Sequence, residues 1–306
     1  MPSALGKART MQLSEIRVIA VVGAGQMGAG IAQVAARGGY RVLLADAALE
    51  RATAAKLAID EQFRRLSEKG KLTPAEGEQA SLRIEATSAE RAYPQADLVV
   101  EAATENRELK LALFEQACAS SKPEAILATN TSSVSITLLA GRTRRAERVI
   151  GMHFMNPVPV MRLVELVRGL ETSAETLATV RGLAEALNKT VIVSRDRPGF
   201  LVNRMLIPFL NEACFALDEG TGSAEDIDQG ARLGLNHPLG PLELADLIGL
   251  DTVLAIARVL ERDFGDPKYR PCVLLKNLVA AGYLGRKTKR GFYFYDEQGK
   301  KLGPAR

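Results

Sequence analysis

The sequence of 306 residues predicts an α/β fold of the doubly wound kind: a mostly parallel sheet with an inserted helical pair, followed by an all-α C-terminal domain. Three observations carry that prediction. A continuous apolar run over residues 16–22 leads straight into a glycine string. Similar runs then alternate with helical periodicities as far as Val193, the pattern of βαβ units. Beyond Arg197-Pro198-Gly199 the period is helical to the end.

Residues 16–22 (Ile-Arg-Val-Ile-Ala-Val-Val) read as a central strand, because a strand covered by helices on both faces has no polar face to alternate. Gly23 to Gly28 turn the chain. Ile31, Val34 and Ala35 then fall at helical spacing, and Gly38-Gly39 stop that helix before a second run, Val42-Leu43-Leu44-Ala45, which ends in Asp46. Residues 49–71 read as a long helix of mixed charge and 74–80 as the start of another, a pair expected to stand partly clear of the body. A strand over 96–103, a helix over 109–119 and strands over 126–128, 149–152, 162–167 and 191–193 continue the pattern. Helices follow over 200–217, 224–233, 242–260 and 272–281. The expected division is a loose tail over 1–13, with Met11 as a possible second start, a dinucleotide-binding domain over 14–197 and a helical domain over 198–306. The apolar stripe Leu242, Leu244, Leu247, Ile248, Leu250 exceeds what a small helical domain covers, so part of that surface is expected to face a second subunit.

Composition narrows the function. The 40 basic and 36 acidic side chains are interleaved, so the net charge of +4 implies no nucleic-acid partner, while a small phosphate-bearing substrate would suit it. Cys118, Cys214 and Cys272 form no Cys-x-x-Cys pair and suggest neither a metal site nor disulfides, hence a reducing, cytoplasmic setting. The first apolar run is too short for a signal segment or a membrane span.

Gly23-Ala24-Gly25-Gln26-Met27-Gly28 is a GxGxxG string. Alone it is weak; between a strand and a helix it gains a mechanism. The first glycine allows the turn, the second lets backbone approach a pyrophosphate, the third lets helix and strand pack, and the helix N-terminus offers free N–H groups. Asp46, at the end of the second strand, would accept from ribose hydroxyls, and Ala47 and Ala48 after it supply no arginine for a 2′-phosphate; NAD is therefore the expected cofactor of this Rossmann-type domain.

The chain has two histidines. His237, in an Asn-His-Pro turn, suits a structural side-chain hydrogen bond. His153 follows a strand at the carboxyl edge, where ligands bind in open α/β sheets. Asn130-Thr131-Ser132-Ser133 ends the preceding strand at that edge, and Glu165 interrupts the apolar run Leu163-Val164-Glu165-Leu166-Val167, where a carboxylate needs a partner.

At this point the chain resembles the 3-hydroxyacyl-CoA dehydrogenase family over nearly its whole length. The carrying segments are the glycine string with Ala29-Gly30, Glu101-Ala102-Ala103-Thr104-Glu105-Asn106, residues 129–133, Gly151-Met152-His153-Phe154-Met155-Asn156-Pro157-Val158-Pro159, Pro198-Gly199-Phe200-Leu201-Val202-Asn203-Arg204 and Asn236-His237-Pro238-Leu239-Gly240-Pro241. The resemblance implies that His153 is the acid/base, that Glu165 orients it and that Ser132 and Asn203 hold substrate oxygens. It also implies that Glu105 and Lys110 lie at the nicotinamide end and that Lys69 contacts a coenzyme A phosphate. Met155 replaces an aromatic common after His-Phe, and Glu61-Gln62-Phe63-Arg64-Arg65 is less lysine-rich than in similar chains, which leaves the coenzyme A contacts open. Two other readings stay open: an oxidoreductase of free polyol acids, and a dinucleotide fold kept without catalysis.

Overall fold

The computed structural model describes residues 11–305. It forms two compact units, with Arg197 ending the first and Pro198 starting the second. The expected loose tail lies outside the described residues as far as residue 10. At Met11 the expectation fails: this side chain is buried, and its carbonyl accepts from Thr179 Oγ1 at 3.0 Å.

The first unit contains β1 (Val18–Val22), α1 (Gln26–Arg37), β2 (Arg41–Ala45), α2 (Leu49–Glu68), α3 (Pro74–Leu82), β3 (Ile84–Thr87), the single turn α4 (Ala89–Ala92), β4 (Leu98–Glu101) and α5 (Arg107–Ser120). Then come β5 (Ile126–Thr129), α6 (Ile136–Ala140), β6 (Val149–Phe154), β7 (Leu163–Arg168), α7 (Ala174–Ala186) and β8 (Thr190–Arg195). The sheet order is β3-β2-β1-β4-β5-β6-β7-β8. β1 to β6 are mutually parallel, β7 runs antiparallel to β6, and β8 is parallel to β7. The mostly parallel, doubly wound sheet is thus as expected; the reversal at β7, strand β3 and helix α7 are additions. Strand order reverses between β1 and β4, which opens a crevice beyond their carboxyl ends.

Local sequence explains the pieces. β1, β4 and β6 are apolar apart from Glu101 and His153 because helices cover both faces, and nearly all their residues are buried. The inserted pair has one thin apolar stripe, Ala52, Ile59 and Phe63, with charges elsewhere on α2. Thr73-Pro74-Ala75-Glu76 starts α3 with a capping box and a proline in the first turn.

The second unit contains α8 (Val202–Asp218), α9 (Ala224–Gly234), α10 (Pro241–Ile248), α11 (Leu250–Phe264) and α12 (Val273–Ala280), with a hairpin of β9 (Tyr293–Tyr295) and β10 (Lys301–Pro304). Two expectations change here. The helix expected over 242–260 is two, separated at Gly249, whose φ of 101° is costly for any other residue. The unit is helical but not all-α, because the chain closes on that hairpin. Leu242 and Leu250 lie in the core instead of on an outer stripe; Leu247 is exposed. The Asn236–Pro241 motif gains a structural meaning: Asp228 accepts from Leu242 N at 2.8 Å and Glu243 N at 3.0 Å, capping α10, and a Cβ on Gly240 would lie 2.2 Å from its carboxyl carbon. His237 stacks on Phe209, centroids 4.8 Å apart, where a side-chain hydrogen bond was expected.

Candidate active site

The loops after β1, β2 and β4 meet at the carboxyl edge. Gly23 N donates to Ala45 O at 2.8 Å, and Ala102 N to Val22 O at 2.7 Å. Gly23 has φ of 107°, and a Cβ there would sit 2.6 Å from Ala102 backbone; a Cβ on Gly28 would sit 1.7 Å from Gly23 O. Packing therefore demands both glycines. A Cβ on Gly25, in contrast, would meet nothing within 4 Å, so the second glycine borders open space at the N-terminus of α1, which Gln26 and Met27 begin. A bare backbone cradle at the positive end of a twelve-residue helix fits a dinucleotide pyrophosphate.

Asp46 Oδ2 accepts from Ala24 N at 2.8 Å, tying the glycine loop to the end of β2. Arg51, in the first turn of α2, brings its Nε within 3.4 Å of Oδ1. The expectation that this acid has no arginine beside it is therefore corrected: Ala47 and Ala48 lack one, but the helix returns one from farther along the chain.

His153 and Glu165 face each other because they are direct register partners on antiparallel strands, so their side chains share a face. His153 Nδ1 lies 3.2 Å from Glu165 Oε2, with the histidine 8% exposed and the glutamate fully buried. A carboxylate only accepts, so this contact places the proton of a neutral ring on Nδ1. Asn130 Oδ1 accepts from Phe154 N at 2.8 Å and anchors the end of β6 to the loop after β5.

A second cluster lies along the same edge. Glu105 Oε1 collects Ser132 N at 2.9 Å, Ser133 N at 3.0 Å, Ser133 Oγ at 2.9 Å and Ser132 Oγ at 3.3 Å, as well as the Thr131 hydroxyl, while Oε2 lies 3.3 Å from Lys110 Nζ. Burial would raise its pKa, but the Lys110 charge and the hydrogen bonds from Thr131, Ser133 and Ser132 N hold it below the ordinary carboxylate range. Lys110 is 1% exposed and bonds to Glu101 at 2.7 and 3.0 Å. Glu101 is the residue that the motif reading left without a role. An acid set within an apolar run was the available signal, the same one that singled out Glu165.

Two further expected site residues are described by their own elements. Lys69 is exposed at the C-terminal cap of α2. Asn203 belongs to the second unit, buried in the first turn of α8.

Comparison with known proteins gives the family. The description "3-hydroxyacyl-CoA dehydrogenase, NAD binding domain" matches residues 18–197, and the C-terminal domain of the same family matches residues 199–295. The chain belongs to the 3-hydroxyacyl-CoA dehydrogenase family and is an NAD-dependent oxidoreductase. A relative in Bacillus subtilis, "Probable 3-hydroxybutyryl-CoA dehydrogenase", is 50% identical over 93% of this chain and 99% of its own. The crystal structure of (S)-3-hydroxybutyryl-CoA dehydrogenase from Ralstonia eutropha superposes with a TM-score of 0.89 at 50% identity, covering 92% of this chain and 100% of that one. An Escherichia coli "3-hydroxyadipyl-CoA dehydrogenase" is 41% identical over 91% of this chain and 59% of its own.

Proposed function

We propose that the enzyme interconverts (S)-3-hydroxyacyl-CoA and 3-oxoacyl-CoA thioesters with short acyl groups, 3-hydroxybutyryl and acetoacetyl first among them, with His153 as general acid/base. The observation that carries this reading is the buried His153–Glu165 pair at the carboxyl edge of the sheet. NAD, when bound, supplies the hydride acceptor. His153 Nε2 takes the C3 hydroxyl proton as the carbonyl forms and returns it in the reverse direction, work that imidazole suits because its pKa lies near neutrality. Glu165 holds Nδ1–H in place and stabilises the imidazolium. Ser132 and Asn203 hold substrate oxygens, Glu105 and Lys110 line the nicotinamide end, and Lys69 meets a coenzyme A phosphate.

The names of the Bacillus and Ralstonia relatives support the short acyl group; the Escherichia coli relative makes a dicarboxylic acyl-CoA the next substrate to try. Purified protein should consume NADH with acetoacetyl-CoA and not with free acetoacetate or a free sugar acid. Equal rates on the free acids, or no turnover, would overturn the reading. His153→Gln should keep NADH affinity and lose turnover by about 10²-fold or more; full activity in that variant excludes the mechanism.

The proposal extends to a cytoplasmic homodimer. All three cysteines are free, and no helix among the described residues is long and apolar enough to cross a membrane. Met205, Leu233, Leu247 and Val273 leave apolar surface exposed on the helical unit for a second copy. Sedimentation at micromolar concentration should give twice the mass of the chain, and a monomer there rejects this assembly.

A further inference from the structure

We infer that Glu101 is a positioning residue: it holds the buried Lys110 ammonium beneath Glu105, and through Glu105 it fixes the Thr131–Ser133 turn and the direction of Ser132. The inference rests on the proposed function only in giving Ser132 a substrate to hold.

Both oxygens of Glu101 are fully used. Oε1 accepts from Lys110 Nζ at 2.7 Å and Ala103 N at 2.7 Å, and Oε2 from Thr129 Oγ1 at 2.6 Å and Lys110 Nζ at 3.0 Å. Lys110 completes its own set on Ala103 O at 3.2 Å. An ammonium has three protons, and these acceptors engage them, so Glu105 Oε2 at 3.3 Å feels Lys110 mainly as a fixed charge. That division matters for the serine turn. With Lys110 anchored on Glu101, Glu105 keeps its other oxygen for the Ser132 and Ser133 N–H groups and hydroxyls. Without the Glu101 charge, the lysine's nearest carboxylate is Glu105 itself. The ammonium then draws that carboxylate out of the turn, and Ser132 loses the acceptor that sets its backbone.

A bland alternative exists, since Glu101 and Thr129 are register partners on neighbouring strands and their bond could serve only to brace β4 against β5. A brace predicts lower stability with the serine turn undisturbed.

Glu101→Gln in the full chain separates the two. The expected result is a local loss of order: amide hydrogen exchange in the peptide spanning 130–135 speeds up by about tenfold, while the peptide carrying α1 is unchanged. With acetoacetyl-CoA and NADH, kcat/KM falls by about tenfold, and adding Ser132→Ala to Glu101→Gln causes little further loss, because both changes remove one function. Unchanged exchange in the turn, or losses that simply multiply in the double variant, overturns the inference. Should Glu101→Gln fail to fold, Thr129→Val removes one donor to Glu101 and is judged by the same exchange and the same cycle at several-fold effects. If the wild-type chain does not reduce acetoacetyl-CoA, the proposed function fails, and the exchange measurement still decides the role of Glu101.

Discussion

In the first unit the acids buried at the sheet edge face groups that carry or exchange charge. Glu101 meets the Lys110 ammonium at 2.7 Å, and Glu165 meets the His153 ring at 3.2 Å. In the second unit Asp228 and Asp246 face backbone N–H groups and tyrosine hydroxyls instead. Asp228 holds Leu242 N, Glu243 N and Tyr293 Oη, and Asp246 holds Phe292 N, Tyr293 N and Tyr295 Oη, all at 2.8 to 3.0 Å. The difference shows that burial alone does not mark a catalytic acid. A carboxylate surrounded by N–H groups organises backbone, here a helix start and a hairpin. A carboxylate set against an imidazole can tune a group whose protonation changes, the role proposed for His153.

Substitution at each place should separate these roles, and the largest effect is expected at Glu165. Glu165→Gln should lower kcat by about 10²- to 10⁴-fold, because the amide no longer balances the imidazolium, while NADH affinity and thermal stability change little. A variant that keeps its turnover, or that fails by unfolding, would place Glu165 with the second unit's aspartates. Asp246→Ala should behave in the opposite way. It leaves three donors without their acceptor, at a cost of about 3 kcal/mol in denaturant unfolding, and the folded fraction should keep its catalytic constants.

Asp246 also gives the comparison a pH signature. Burial raises its pKa to about 6 against an ordinary 3.8, outweighing the hydrogen bonds from Phe292, Tyr293 and Tyr295. A carboxyl raised on folding binds its proton more tightly in the native state, so its contribution is fully present below pH 4 and is lost as pH rises through about 6. Denaturant unfolding from pH 4 to 7.5 should show the wild type losing about 2 kcal/mol relative to Asp246→Asn over that window. A difference that does not change with pH would mean that the three donors keep this acid ionised throughout. The Glu105 pKa is shifted downward, so its contribution has the opposite sign: it is present at neutrality and lost on acidification.

Sequence alone reached the parts of this molecule whose signals are local. The glycine string, the apolar runs and the acid inside 163–167 each declare themselves within a few residues, and the His153–Glu165 pair needed only that the two strands adjoin. What stayed hidden depends on register or on single dihedral angles. The antiparallel turn at β7 changes no side-chain period. Residues 241–264 keep a helical pattern across Gly249, and nothing in the pattern reveals a φ of 101°. Three residues of β9 are too few for a strand period to show. Glu101 was visible but unpaired, because its lysine sits nine positions away across a loop that follows no repeat.

Asp46 stands between the two kinds of acid and gives the smallest expected effect. Like Asp228 it holds a backbone N–H, Ala24 N at 2.8 Å, and so contributes to the shape of the glycine loop. Like Glu101 it has a cation nearby, but Arg51 is 65% exposed, and a solvated guanidinium at 3.4 Å contributes little to holding the acid. From the sequence, the discrimination between the two nicotinamide dinucleotides is assigned to the Asp46 charge, placed to accept from ribose hydroxyls and to repel a 2′-phosphate. Asp46→Ser should therefore weaken the preference for NADH over NADPH by about tenfold, worth roughly 1.4 kcal/mol, partly because Arg51 is freed to meet the phosphate. Adding Arg51→Ala should take back the gain on NADPH while leaving NADH nearly unaffected. Steady-state kinetics with both cofactors decide the matter, and a preference that survives Asp46→Ser would move the discrimination to the glycine loop itself.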